Sequence, residues 1–213
     1  MTMNKNKKNS IILSGFYFSV ILLALMSSNL YVSNSYAFFH SNDSKEEKKD
    51  TTIKMDTPKG IWYNLGRFYA DHGNSTGAIA ALDRALSIDP NFIEALNSKA
   101  YVLRDIGNYS QAIEFFDKVI EKDPKHKWAW NNIGYSLLQL GNFSESLSYI
   151  DKALEIDTEY QSALDNKATA MMNLGKLDEA KKIFQDILNK YPDDEYALTS
   201  FKSLSGNLSY KSP

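Results

Sequence analysis

The 213-residue chain is 43% hydrophobic and 23% charged, a composition that is typical of a folded protein and excludes a fully disordered chain. It contains no cysteine, so disulfides, thiolate metal sites and cysteine catalysis are excluded. Three of its 24 basic residues precede residue 37, where no acidic residue stands, and the rest of the chain carries 21 basic against 26 acidic side chains. Because this mildly acidic body has no basic face, nucleic acid is not expected as a partner.

The first 37 residues have the pattern of a secretory signal. Lys5, Lys7 and Lys8 precede an apolar run over residues 11–26, and Ser35-Tyr36-Ala37 places small side chains at the two positions that a signal peptidase reads. Cleavage after Ala37 is one interpretation, and a retained single-span anchor is the other. Both place the rest of the chain on the extracytoplasmic side, either secreted or anchored to the membrane through this segment alone.

Two polar segments flank the predicted folded domain, which spans residues 58–205. Residues 38–57 are mixed in charge and have no apolar stripe long enough to bury, so they are expected to form a flexible tether. Residues 206–213 are expected to form a tail.

A repeat with a period of 34 residues organises the chain from residue 59 onward. It is marked by four equally spaced glycines, Gly73, Gly107, Gly141 and Gly175. A fixed period of this length is typical of a solenoid, in which each unit is one helical pair stacked on its neighbours. Glycine accepts the left-handed conformation that ends a helix, so each of the four is expected to end the first helix of its pair.

Small and large side chains are distributed over each unit in a way that predicts close helix packing. The slots that keep a helix surface bare hold Gly66, Ala100, Gly134 and Ala168 on the first helices and Ala78, Ala112, Ser146 and Ala180 on the second. The slots that fill the adjoining space hold Leu82, Phe116, Ile150 and Phe184. Lys99 and Lys167 stand where apolar residues are expected, which predicts less complete burial at those interfaces.

These slots closely resemble the tetratricopeptide repeat. The first unit carries the pattern almost in full, as Trp62, Leu65, Gly66, Tyr69, Ala78, Leu82, Ala85 and Pro90. The resemblance implies an all-α fold, an α-solenoid in which four helix-turn-helix units (residues 59–92, 93–126, 127–160 and 161–194) form a right-handed superhelix. An amphipathic stretch at residues 194–204 is predicted to cap the last unit. The first unit has no such cap and could dock a partner or a second copy.

The sequence predicts that this chain is not an enzyme. His40, His72 and His126 have no metal-ligand spacing and no serine or acidic pair in a catalytic arrangement. No glycine-rich phosphate loop is present in the sequence either. No metal and no cofactor are therefore expected.

A predicted groove on the first helices carries the candidate partner-binding residues. Amide side chains both donate and accept, so a row of them can bind the backbone of an extended peptide, and tyrosines beside them add rigid contact area. The candidates are Tyr63, Asn64 and Arg67; Asn97, Tyr101 and Arg104; Asn131, Asn132 and Tyr135; and Asp165, Asn166 and Thr169. A solvated or self-packing face is the alternative interpretation.

One prediction that the resemblance makes for chaperone-tail binding fails in this sequence. Repeat domains that capture acidic chaperone tails use lysine, arginine and asparagine in fixed groove slots. Those slots hold Tyr63, Arg67, Ser98, Trp128 and Asn132 here, with one cation among them. A clamp for two carboxylates is therefore not expected.

The predicted function is an extracytoplasmic protein–protein interaction scaffold that holds a peptide segment or a helix of an envelope or secreted protein. A structural solenoid that self-associates through its ends is one alternative, and a non-catalytic subunit of an envelope enzyme complex is another. Three sequons at the turns, which begin at Asn74, Asn108 and Asn142, would be exposed glycosylation acceptors in a secreted chain.

Overall fold

The computed structural model describes residues 57–207, and the described part of the chain is helical throughout, with no β-strand. The helices are α1 (Pro58–Asp71), α2 (Ser75–Ile88), α3 (Ile93–Asp105), α4 (Tyr109–Lys122), α5 (Lys127–Gln139), α6 (Phe143–Ile156), α7 (Gln161–Asn173), α8 (Leu177–Lys190) and α9 (Glu195–Lys202). A π-helical turn at Ser203–Asn207 follows α9. Consecutive helices pack as pairs, α1 with α2, α3 with α4, α5 with α6 and α7 with α8, and each pair contacts the next. The prediction of an all-α solenoid is confirmed.

Local sequence chemistry explains where these helices begin and end. Thr57 and Asn74 accept hydrogen bonds from the backbone N–H groups of Gly60 and Gly77, at 3.2 and 2.9 Å, and so cap α1 and α2. The glycines that follow the first helix of each pair have positive φ angles, as at Gly73, where φ is +72°. A side chain in that conformation is strained, so the 34-residue glycine period follows from the turn that each pair requires.

The close approach of paired helices depends on the bare slots that the sequence predicts. A Cβ atom added to Gly134 would lie 2.5 Å from Cγ1 of Ile150, and one added to Gly66 would lie 2.7 Å from Cγ of Leu82. Both distances are far below van der Waals contact. The large residues opposite the bare slots are fully buried, among them Phe116. Alternation of small and large side chains therefore sets the helix spacing.

The two ends of the described helical array differ. At the C-terminal end, Ala197 of α9 is buried in a cluster with Phe184 and Ile187 of α8, so α9 is the capping helix that the sequence predicts. At the other end, Ile61 and Phe68 of α1 are 56% and 54% exposed. The apolar surface of α1 thus has no counterpart of α9 within the described residues.

Lys99 and Lys167, at slots where apolar residues are expected, form ion pairs between neighbouring units. The Nζ atom of Lys99 lies 2.5 Å from a carboxylate oxygen of Asp83, and that of Lys167 lies 2.7 Å from one of Asp151. The side chain of Lys99 is only 13% exposed, because its stem is buried along the apolar interface while its ammonium reaches the carboxylate. The expected loss of burial is therefore small at Lys99.

Three predicted segments lie wholly or almost wholly outside the described residues. They are the signal or anchor segment at residues 1–37, the tether at residues 38–57 except Thr57, and the tail at residues 206–213 beyond Asn207. Among the helices of the described part, none is long and apolar enough to cross a membrane.

Candidate functional site

All twelve predicted partner-binding residues lie on the first helix of a pair, namely α1, α3, α5 or α7. We call the surface that they outline the groove face. Neighbouring first helices contact each other directly, α1 with α3 and α5 with α7. The structure brings the twelve residues into two groups that differ in their hydrogen bonding.

Asn132 is the centre of a buried network in the middle of the groove face. Its side-chain oxygen accepts a hydrogen bond from Nη1 of Arg104. Its Nδ2 donates to the hydroxyl of Tyr101 at 3.0 Å and to the carbonyl of Trp128 at 2.8 Å. With 2% of its surface exposed, Asn132 is a structural link between α3 and α5.

Arg104 is the cation of this network, and it is almost entirely buried. Its guanidinium pairs with Asp105 at 2.7 Å and lies over the rings of Tyr101 and Tyr135, at 4.8 and 5.8 Å from the ring centroids. Burial opposes its charge, but Asp105 and the two tyrosines hold the pKa of Arg104 above its ordinary value. Arg104 therefore stays charged, and its charge is compensated inside the protein.

A second set of hydrogen bonds ties α5 to α7. Nδ2 of Asn166 donates to the side-chain oxygen of Asn131 at 2.9 Å, and Nδ2 of Asn131 donates to the hydroxyl of Tyr160 at 3.4 Å. The hydroxyl of Thr169 lies 2.7 Å from that of Tyr196 on α9. These amides already have partners within the protein, so they are less available to a bound peptide.

On α1 and α3 the groove face keeps polar atoms without partners. Nδ2 of Asn64 and Oδ1 of Asn97 are buried atoms without a hydrogen-bond partner among the described residues. Arg67 is exposed, with its guanidinium 5.9 Å from the ring centroid of Tyr63. One unpaired donor therefore lies on α1, which also carries an exposed cation and a buried tyrosine, and one unpaired acceptor lies on the neighbouring first helix α3.

Asp165 is the acidic member of the groove face. Its Oδ1 atom is buried without a hydrogen-bond partner among the described residues. Burial, with a further contribution from the nearby carboxylate of Asp194, raises the pKa of Asp165 to about 7. This carboxyl group is consequently half protonated near neutral pH and can then donate a hydrogen bond as well as accept one.

Two residues that complete the groove face could not be found from its repeat slots alone. Tyr160 lies between α6 and α7, and Tyr196 lies on α9, and each provides a hydroxyl partner to a groove side chain. Their only signal in the sequence is an aromatic ring with a hydroxyl group, which many surface positions share. Ser98, which the repeat places in a groove slot, contacts the hydroxyl of Tyr63, and burial raises the pKa of Tyr63.

The predicted sequons lie at the turns within pairs. Asn74 and Asn142 are exposed, whereas Asn108 is half-buried. The oxygens of Asn74 and Asn108 accept backbone N–H groups at the starts of α2 and α4. Capping thus accounts for asparagine at two of these three positions, independently of any modification.

The described residues contain no cluster of histidine and acidic side chains that could hold a metal ion. His126 is buried and caps α5 by accepting the N–H of Ala129 on Nδ1, at 3.1 Å. Burial lowers its pKa, so its ring is neutral at pH 7.

Asn64 and Asn132 occupy equivalent repeat slots, which gives a matched pair of substitutions. Asn132→Ala removes the acceptor of a buried guanidinium hydrogen bond, and we expect it to lower the free energy of unfolding by about 1–3 kcal/mol. Asn64→Ala removes a donor that has no partner, so we expect a change within about 0.5 kcal/mol. Urea unfolding followed by circular dichroism measures both values. Equal losses for the two variants would contradict this division of the groove face.

Three family models match parts of the chain. Residues 137–200 and residues 50–91 each match a model described as tetratricopeptide repeat. Residues 71–153 match a model described as anaphase-promoting complex, cyclosome, subunit 3. No curated protein matches the chain.

Solved structures show the same fold. The crystal structure of MamA protein is 22% identical, with a TM-score of 0.64, over 71% of this chain and 84% of that one. A tetratricopeptide repeat protein from Parabacteroides merdae is 21% identical, with a TM-score of 0.65, over 84% of this chain and 72% of that one. The first TPR of Spaghetti (RPAP3) is 24% identical, with a TM-score of 0.52, over 55% and 94% respectively. The family models and the paired helices together show that this chain carries tetratricopeptide repeats.

Proposed function

We propose that this chain is an extracytoplasmic protein–protein interaction scaffold and that its groove face binds an extended segment of a partner protein. The observation that carries the proposal is the pair of unpartnered amide atoms on adjacent helices, Nδ2 of Asn64 and Oδ1 of Asn97. A buried polar atom without a partner costs free energy, and a peptide backbone supplies both of the missing partners. When the two side chains turn to expose these atoms, a backbone carbonyl accepts from Asn64 and a backbone N–H donates to Asn97, whatever the side chains of the segment are.

The two groups of groove residues have different roles in this proposal. The network around Asn132 and Arg104 holds α3 in a fixed position against α5, so the part of the site on α3 is preorganised. A preorganised site loses less entropy when it binds an extended chain. Tyr63 and the exposed Arg67 give the bound segment an aromatic surface and one positive charge.

The charge of the groove face favours a neutral or weakly acidic segment. The first TPR of Spaghetti, by contrast, was solved bound to an HSP90 peptide, SRMEEVD, which carries several carboxylates. In this chain the cations among the twelve groove residues are Arg67 and Arg104, and Arg104 is buried against Asp105. One exposed cation gives too little charge to hold such a tail, so backbone hydrogen bonds are proposed to provide most of the affinity.

An extracytoplasmic location of the scaffold is also part of this proposal. The lysines and the apolar run at residues 11–26 support export of the rest of the chain, by a cleaved signal or by a retained anchor. The partner would then be an envelope or secreted protein.

Site-specific photo-cross-linking tests the groove face in the cell. A photoreactive residue is placed by Arg67→p-benzoylphenylalanine on the groove face, and by Arg84→p-benzoylphenylalanine on α2 as the control, since both arginines are exposed. We expect a cross-linked partner from position 67 and none from position 84. Cross-links of equal yield from both positions would place the binding surface elsewhere.

Self-association is a second candidate function, and the exposed apolar face of α1 favours it. Ile61 and Phe68 are each more than half exposed, and Trp62 beside them is 37% exposed. A second copy of the chain could cover this face as α9 covers the last pair. In the same experiment, cross-links to the chain itself in place of another protein would favour this function over the scaffold.

A further inference from the structure

A hollow of about 340 Å³ lies away from the groove face, where α2, α3 and α4 meet. Its walls are apolar and come from Leu86, Pro90, Leu96 and Phe115. Asn91, Lys118 and Lys122 complete its lining, and both lysines are exposed. A hollow of this size accommodates one large side chain of another protein, with charged groups at its mouth.

The repeat itself shows what fits such a hollow. One unit later, the position of Leu96 is held by Trp130, that of Pro90 by Pro124 and that of Phe115 by Tyr149. The indole N–H of Trp130 donates to the carbonyl of Pro124 at 2.9 Å, and its ring lies 5.8 Å from the ring of Tyr149. At the α2–α3–α4 junction, Leu96 is too small to fill the equivalent space and has no donor for the carbonyl of Pro90. An aromatic ring with a donor is therefore the group that this junction lacks.

The two lysines at the opening of the hollow indicate which residues would flank such an aromatic ring in a partner. Neither Lys118 nor Lys122 has a carboxylate within 4 Å among residues 57–207, because the carboxylates there that form ion pairs do so with other basic side chains. The ammonium of Lys118 lies 4.7 Å from the ring centroid of Phe115. Lys99 also faces that ring, at 4.2 Å, but is paired with Asp83. Asp89 is paired with Lys59 at 2.5 Å, and this hydrogen bond is the main cause of the lowered pKa of Asp89, to which Lys122 makes a smaller contribution.

The equivalent lysine positions at the later junctions differ. Lys152 is paired with Glu155 at 2.7 Å, and the position that follows it one turn later holds Ile156. At the last junction Asp186 replaces the first lysine, and Lys190 is paired with Glu159 at 2.6 Å. Among the described junctions, an open apolar hollow with two unpaired lysines at its mouth is present only between α2, α3 and α4.

We propose that this hollow is a second binding site, which takes an aromatic side chain, tryptophan above all, from a segment of a partner protein whose neighbouring residues are acidic. The ring occupies the space that Trp130 occupies one unit later, and its N–H donates to the carbonyl of Pro90. The flanking carboxylates pair with Lys118 and Lys122. The site is independent of the groove face, so a scaffold with both surfaces could hold two segments at once.

A fluorine NMR titration of the purified full chain tests this site. The probe is the peptide N-acetyl-Asp-(5-fluoro-Trp)-Asp-amide, and its charge-reversed control is N-acetyl-Lys-(5-fluoro-Trp)-Lys-amide. We expect the acidic probe to bind at least about tenfold more tightly than the basic one at low salt, with the difference shrinking as salt screens the lysines.

Variants borrowed from the chain's own repeats locate the binding. Leu96→Trp introduces the residue that the next unit has at this position and fills the hollow. The double variant Lys118→Asp with Lys122→Ile introduces residues that later units have at these two exposed positions. Each is expected to weaken the acidic probe at least about tenfold while the far-ultraviolet circular dichroism stays native. Should Leu96→Trp fail to fold, the double lysine variant carries the test.

A groove variant separates this site from the proposed function. Asn64→Ala with Asn97→Ala is expected to leave the affinity for the acidic probe within about twofold, since neither asparagine lines the hollow. Unchanged affinity in a folded Leu96→Trp variant or in the double lysine variant would overturn the proposal. Equal binding of the acidic and basic probes would also overturn it. Dimerisation of the chain without any binding of the probe would overturn it as well.

Discussion

Phe116→Ala is expected to lower the free energy of unfolding by about 3–5 kcal/mol. Phe116 is fully buried, and it belongs to a cluster that joins α3, α4 and α5. Its ring contacts that of Tyr101 edge to face, at 5.4 Å between centroids. The truncation leaves a cavity that the closely packed helices cannot fill, so both the transfer free energy and the packing contacts are lost.

Phe68→Ala is the matched control, since it makes the same chemical change on α1 at a side chain that is 54% exposed. We expect it to cost within about 1 kcal/mol. Chemical denaturation followed by circular dichroism compares the two variants under one condition. A loss at Phe116 no larger than the loss at Phe68 would show that the stacked helices do not share the core described above.

Acidification from about pH 7 to about pH 4 is expected to reduce the free-energy cost of burying Asp165. The folded protein raises the pKa of this carboxyl to about 7, whereas its ordinary value is 3.8. Between these values the folded state binds a proton that the unfolded state does not, so the contribution of Asp165 to stability increases as the pH falls. At about 1.4 kcal/mol per pKa unit, the contribution over this window reaches up to about 4 kcal/mol.

The variant Asp165→Asn isolates this contribution from those of other groups. The buried His126 has a lowered pKa and destabilises the fold as the pH falls through the range of histidine titration, and the paired carboxylates of Asp89 and Asp157, with lowered pKa values, lose their contribution below pH 4. Subtracting the stability of the variant from that of the wild type removes these common effects. We expect Asp165→Asn to be the more stable protein at pH 8 and to lose that advantage by pH 4. Parallel pH profiles would show that Asp165 is not desolvated.

Most of the fold could be predicted from the sequence because its determinants are local and repeat. Gly73 ends α1 through a positive φ angle, and Gly134 lets α6 approach α5, and both constraints act within one helical pair. Register follows from the period of 34 residues once the pair is known. The cap was predictable for the same reason, since the apolar face of α8 needs a covering helix.

For the candidate site, the sequence predicts which positions of the repeat lie on the groove face but not which hydrogen bonds their side chains form. Asn64 and Asn132 share one slot of the repeat, yet one has an unpartnered amide atom and the other is linked to Arg104 and Tyr101. What distinguishes them is the side chains that neighbouring helices bring within reach, and a slot pattern does not contain that information. The raised pKa of Asp165 has the same origin, because its burial and the carboxylate of Asp194 come from the packing of α7 against its neighbours.

Recovery of partner proteins by a groove variant tests the central claim most directly. Cross-linked complexes of the tagged full chain are purified from whole cells and compared with those of the variant Asn64→Ala with Asn97→Ala. The control is the variant Lys118→Asp with Lys122→Ile, which leaves the groove face intact. The groove claim predicts at least one partner that is lost from the first variant and retained by the second, while both keep native circular dichroism. Recovery of every partner by the first variant at wild-type yield would contradict it.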